Sequence, residues 1–134
     1  MDPTVSMYIS QGIHGIAYGM ILFLIASGLN IIFGMMGILN MAHTAFFMLA
    51  AYLCYVLVAL TGNFWLGLLV APAFTAVLGV VMERLFLRRV IGHMSELILT
   101  IGVSFVIVAA IKKIWGTESL PLQIPEILQG MVNI

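Results

Sequence analysis

The sequence predicts an all-α membrane protein, a polytopic bundle of about four transmembrane helices. Three observations carry that expectation. Hydrophobic residues make up 63% of the 134 residues and charged residues 7%, and the mean hydropathy is +1.22; a soluble domain carries about 25% charged residues. No Asp, Glu, Lys or Arg occurs between Asp2 and Glu83. Apolar runs close to the roughly 20 residues that a bilayer crossing needs alternate with short glycine-rich or polar breaks. So few charges cannot cover a water-facing surface, which excludes a soluble enzyme and a disordered tail. Five basic and five acidic residues cancel, leaving no basic field for nucleic acid. Cys54 is alone in an apolar run, so neither a disulfide framework nor a thiolate metal site is expected. Residues 1–11 lack Lys and Arg and do not read as a signal peptide.

Taken in order, the first span covers about 12–33. The stretch Gly34-Met-Met-Gly37-Ile-Leu-Asn40 interrupts it with two glycines and an asparagine. The second span covers about 41–60, and Thr61-Gly62-Asn63 is a turn short enough to join antiparallel helices. The third covers about 64–82, with Trp65 as an interfacial anchor and Pro72 as an expected kink. Residues 83–96 then collect Glu83, Arg84, Arg88, Arg89, His93 and Glu96. The fourth span covers about 97–115 and ends in Lys112, Lys113 and Trp115. A lysine at a helix centre costs about 2.5–3.5 kcal/mol on insertion scales, most of which vanishes near a helix end, where the side chain snorkels. Residues 116–134 are expected to form an extracytoplasmic loop or interfacial segment, in which Pro125-Glu126 suits the first turn of a short helix. The whole chain reads as one transmembrane domain cut from a longer protein. The arginines at 84, 88 and 89 put that connection in the cytoplasm, and the N-terminus and the 61–63 turn outside.

The helices carry packing signals that a single anchor would not need. Gly67, Ala71, Thr75 and Gly79 place a small residue every four positions of the third span, the spacing that lets membrane helices approach closely. Thr100 and Ser104 lie one turn apart on the fourth. Ion-coupled carriers keep Asp or Glu within the membrane, and spans one to three have none, which argues against a small proton-coupled antiporter. His14 and His43 start opposite ends of their spans, about 28 Å apart along the axis, too far for one haem. No Ser-His-Asp set, His-Glu-x-x-His motif or phosphate loop is present, so no catalytic group, metal or cofactor is expected. The break is the candidate functional element. Asn40 would cap the second span by accepting from the N–H of Ala42 or His43, and either does only that or, with Gly34 and Gly37, holds an irregular backbone beside a pathway, with His43 facing the cavity. Non-helical chain at membrane depth is tolerated only where it is buried or lines a cavity.

The segment Gly28-Leu-Asn-Ile-Ile-Phe-Gly34-Met-Met-Gly37-Ile-Leu-Asn40-Met-Ala-His43-Thr-Ala-Phe-Phe-Met-Leu-Ala-Ala-Tyr52 resembles the permease subunits of branched-chain amino acid ABC importers. Their pattern is a Gly-x-x-Gly break, a Leu-Asn-Phe-Ala-His-Gly word and a Met-Leu-Gly-Ala-Tyr helix. Glu83-Arg84 with Arg88 is similar to the family's Glu-Arg-x-x-x-Arg loop, and Leu97-Ile-Leu-Thr-Ile-Gly-Val-Ser104 to its Leu-Ile-x-Thr-Ile-Gly-Leu-Ser helix. Gly116 and Pro121 stand where the family has a Gly-x-x-x-x-Pro segment. Thr44 and Ala50 replace glycines, and Arg89-Val90 stands where Pro-Leu is typical. The resemblance implies the first half of a larger permease fold in a prokaryotic inner membrane. It also implies a second homologous permease, cytoplasmic ATPases that carry the hydrolysis, and an extracytoplasmic binding protein delivering leucine, isoleucine, valine or a related small amide. The competing expectation is a freestanding small four-helix carrier or assembly subunit.

Overall fold

The computed structural model describes residues 3–118, 120 and 121. It consists of α1 (Pro3–Met36), α2 (His43–Thr61), α3 (Phe64–Leu85), a single 3₁₀ turn (Leu87–Arg89) and α4 (His93–Trp115), with no strand among the described residues. The four α-helices are each long and apolar enough to cross a membrane. The expected helix at Pro125-Glu126 lies outside the described residues.

Each boundary has a local cause. α1 starts at Pro3, well before the apolar span expected from 12, because proline suits the first helical turn and nothing up to Gly12 breaks the helix. At 34 residues it is about 51 Å long, which exceeds the roughly 30 Å hydrocarbon core. It ends where Gly37 turns left-handed (φ 67°) and returns its N–H to the Phe33 carbonyl at 2.8 Å. Gly34 is therefore an exposed residue inside α1 and does not belong to the non-helical segment.

The α2–α3 hairpin closes through three residues. Gly62 is left-handed (φ 66°) and donates to the Val58 carbonyl at 2.8 Å. Asn63 caps α3, its Oδ1 accepting from the N–H groups of Trp65 (3.1 Å) and Leu66 (3.3 Å). α3 runs through Pro72 and past Met82 to Leu85. Glu83 and Arg84 thus lie in its last turn, and Arg88 in the 3₁₀ turn that follows. The sequence placed all three in a loop, but both Glu and Arg are good helix formers, and an arginine at a helix C-terminus complements the dipole.

α2 is the central helix: α3 packs antiparallel along one side of it and α4 along another. The register of α4 is set by two contacts. The Met41 N–H donates to Thr100 Oγ1 at 3.3 Å, and the Tyr52 and Trp115 rings meet with centroids 5.5 Å apart. α2 and α4 therefore run parallel, with the first two turns of α4 projecting beyond the start of α2. This register brings Lys112 and Lys113 about level with the middle of α2, not with its C-terminal end, although they close the fourth span. The small core at this end joins Ala42, Met82 and Leu87, flanked by Ile38, Phe46, Leu99 and Val103. α1 touches α2 only near its own C-terminal end, and its residues 3–24 are all exposed.

Candidate functional site: the break and its cleft

Between α1 and α2 the chain leaves the helical state for Gly37–Asn40 and a turn at Met41–Ala42. In an apolar surrounding each free backbone group there needs a partner. The Ala42 N–H goes to Asn40 Oδ1 at 3.0 Å, and the His43 N–H to the Asn40 carbonyl at 3.2 Å. The Met41 N–H is taken by Thr100 of α4, which is fully buried and donates its own hydroxyl to the Leu97 carbonyl at 3.0 Å. One asparagine and one threonine thus hold the break. The asparagine was expected as the N-cap of a helix starting at 41. The expected acceptance from the Ala42 N–H is present, but it closes a two-residue turn ahead of α2, whose own cap position is Ala42, without a side-chain bond. The threonine was seen only as part of a small-residue face. A hydroxyl in the apolar middle of a helix is the signal, but nothing local says which backbone group it meets.

His43 does not line the space beside the break. Its ring lies against α1 at Gly28, where a Cβ would fall 2.7 Å from His43 Nε2 and 3.0 Å from Cε1. Gly28 is the seat of this histidine, a role visible only once α1 and α2 are placed together.

A cleft of about 230 Å³ opens beside the break. α1 lines it with Ile32 and Met36, the break with Ile38 and Asn40, and the far end of α3 with Gly79, Val80 and Glu83. Its walls are mostly aliphatic, with one amide and one carboxylate. Glu83 is half-buried and stands 3.6 Å from Arg88 Nε, whose side chain is exposed. Arg84 and Arg88 are both exposed and neither lines the cleft, but Arg88 reaches its edge through the contact with Glu83.

The small-residue stripe of α3 divides in two. Gly67, Ala71 and Thr75 are buried, and the Thr75 hydroxyl returns to the Ala71 carbonyl at 2.8 Å. A Cβ on Gly67 would lie 2.7 Å from Val58 Cγ2 and 3.2 Å from the Cys54 carbonyl, so α2 and α3 are in close contact there. Gly79 is different: a Cβ would meet nothing within 4 Å, because it faces the cleft. Three of the four residues belong to a helix interface and the fourth to the candidate site.

The comparisons agree with this architecture. A family model described as the permease component of the branched-chain amino acid transport system matches residues 13–133. The chain is 28% identical over 139 residues to the high-affinity branched-chain amino acid transport system permease protein BraD of Pseudomonas aeruginosa. The alignment covers 96% of this chain and 45% of that relative, so the chain spans about half the length of the curated relative it matches. No solved structure matches. Four apolar helices and this match describe a multi-pass protein of the inner membrane. With break, cleft and helix hairpin all inside the matched residues, the chain belongs to the branched-chain amino acid transport permease family.

Proposed function

We propose that this chain is the N-terminal part of a permease subunit of an ATP-driven importer, moving leucine, isoleucine or valine across the cytoplasmic membrane. The observation that carries this is the family match over residues 13–133, on a chain whose break opens onto an aliphatic cleft. The permease does no bond chemistry: hydrolysis falls to cytoplasmic ATPase partners. A second homologous permease completes the pathway and an extracytoplasmic protein delivers the substrate. Arg84, Arg88 and Arg89, against an α2–α3 turn with no charge, support an orientation with the break and the cleft at the cytoplasmic face.

The test is ATP-dependent uptake of labelled leucine into proteoliposomes holding the complete permease pair, its ATPases and its binding protein. Uptake that requires both ATP and the binding protein is expected. Uptake that proceeds without ATP, or its absence from an assembled complex, would overturn this function.

A further inference from the structure

The cleft at the break carries more chemistry than a lipid-filled gap would need. Its single carboxylate, Glu83, is the first acidic residue after Asp2. The Glu83–Arg88 pair is loose: 3.6 Å is well beyond the 2.7–2.9 Å typical of a direct charge-assisted bond. Among the described residues neither side chain makes any hydrogen bond, so Glu83 keeps acceptor capacity and Arg88 most of its five donors. Arg88 stands outside the lining and meets the cleft only at Glu83; the other walls are aliphatic, from Ile32, Met36, Ile38 and Val80 among others. The volume of about 230 Å³ falls just under the range of about 300–1,000 Å³ found for drug-sized ligands, as suits a single small molecule. A zwitterion with an apolar tail matches all of this: an anion for its ammonium, a forked cation for its carboxylate, and an apolar wall for its side chain.

The geometry points to a subsite for a free aliphatic amino acid in this cleft, with Glu83 receiving the α-ammonium, Arg88 the α-carboxylate, and Ile32 and Met36 flanking the side chain. Asn40 places its amide on the same wall, joining the irregular backbone to the ligand. The assignment rests on the importer function proposed above and locates where the amino acid is held at the cytoplasmic end of the permease. The ion pair then acts as a closed resting state that the ligand's two charges divide between them.

Photo-leucine, the diazirine analogue of leucine, tests this in the complete wild-type complex in membranes. Illumination should label peptides holding Ile32–Met36 or Ala76–Met82. Excess leucine should suppress the labelling; 4-methylpentanoate, which lacks the ammonium, and isopentylamine, which lacks the carboxylate, should not. Glu83→Gln and Arg88→Gln should each reduce labelling about tenfold through the lost charge-assisted contact. The reversed pair, Glu83→Arg with Arg88→Glu, should restore the ion pair but not the labelling. Absence of cleft labelling in the wild type, indifference to Arg88→Gln, or rescue by the reversed pair would overturn the subsite and leave a structural ion pair. Should Glu83→Gln lower the membrane level, Arg88→Gln decides alone, since its side chain is exposed. Leucine uptake by the wild type separates the two claims: uptake without cleft labelling ends the subsite, and no uptake ends the importer function.

Discussion

Two side chains hold the non-helical segment, and they differ in how far the sequence announces them. Asn40 beside two glycines is a local signal, because its oxygen can reach only the next few N–H groups; its bond to Ala42 at 3.0 Å is of that kind. Thr100 is different. Its acceptance of the Met41 N–H spans 59 residues, and the pairing exists only because α4 docks on α2 in one register. Gly28 is hidden for the same reason: its purpose is the His43 ring of another helix. Replacing Thr100 with Val keeps the shape and removes the acceptor. An unsatisfied buried N–H costs about 1–3 kcal/mol, so Thr100→Val should lower the thermal midpoint of the purified protein while Thr100→Ser leaves it near the parent. Equal midpoints for Val and Ser would show that the bond contributes nothing. At Asn40, serine keeps a short side-chain acceptor and alanine does not. In the complete permease, Asn40→Ala should lower membrane level and uptake together, through loss of a turn bond contributing about 1 kcal/mol. Asn40→Ser should restore level but leave uptake defective, since the amide lines the cleft. Full recovery of uptake by serine would reduce Asn40 to a turn residue.

At the scale of the element, the existence and order of the helices were legible, because hydropathy runs and polar breaks are properties of the chain itself. The hairpin turn at Thr61-Gly62-Asn63 was legible too, its glycine and asparagine each filling a role that their chemistry fits. The ends were not. Bilayer length does not stop a helix, so α1 reaches back to Pro3 and α3 carries Glu83 and Arg84 in its last turn. Nor could spacing alone divide the stripe on α3, since a small residue every four positions looks the same whether a neighbouring helix or an open cleft lies opposite. The division makes a sharp expectation. Gly67→Ala would drive a methyl into Val58 and the Cys54 carbonyl, an overpacking that costs typically about 1–3 kcal/mol, and should destabilise the protein measurably in thermal unfolding. Gly79→Ala has open space and should leave stability unchanged, whereas Gly79→Leu should keep the membrane level and block uptake by filling the cleft. Equal stability loss at both glycines would show that α3 presents one uniform packing face.

Across the whole molecule, three helices form a bundle and the fourth does not join it along its length. α2 lies between α3 and α4, and an apolar groove of about 740 Å³ runs between those two, lined by Phe46, Leu78, Met82, Leu99 and Val103 among others. The first 22 described residues of α1, 3–24, are exposed throughout. Composition foretells that such surfaces exist, because a chain with 7% charge has no other way to meet its surroundings. It does not foretell the cleft, which needs the C-terminal end of α1, the break and the C-terminal end of α3 to converge. That convergence follows from the left-handed stop at Gly37 and from the docking of Ala42 against Met82 and Leu87. The importer function proposed above requires the cleft to be a cytoplasm-facing part of the amino acid's path. Gly79→Cys, in a Cys54→Ala background of the complete permease complex, puts a thiol on its wall without a steric conflict. The measurement is the rate at which membrane-impermeant maleimide modifies that thiol from each side of the membrane, with and without leucine. Reaction from the cytoplasmic side only, slowed by leucine, is the predicted result; reaction from the outside only, or a rate indifferent to leucine, would contradict it.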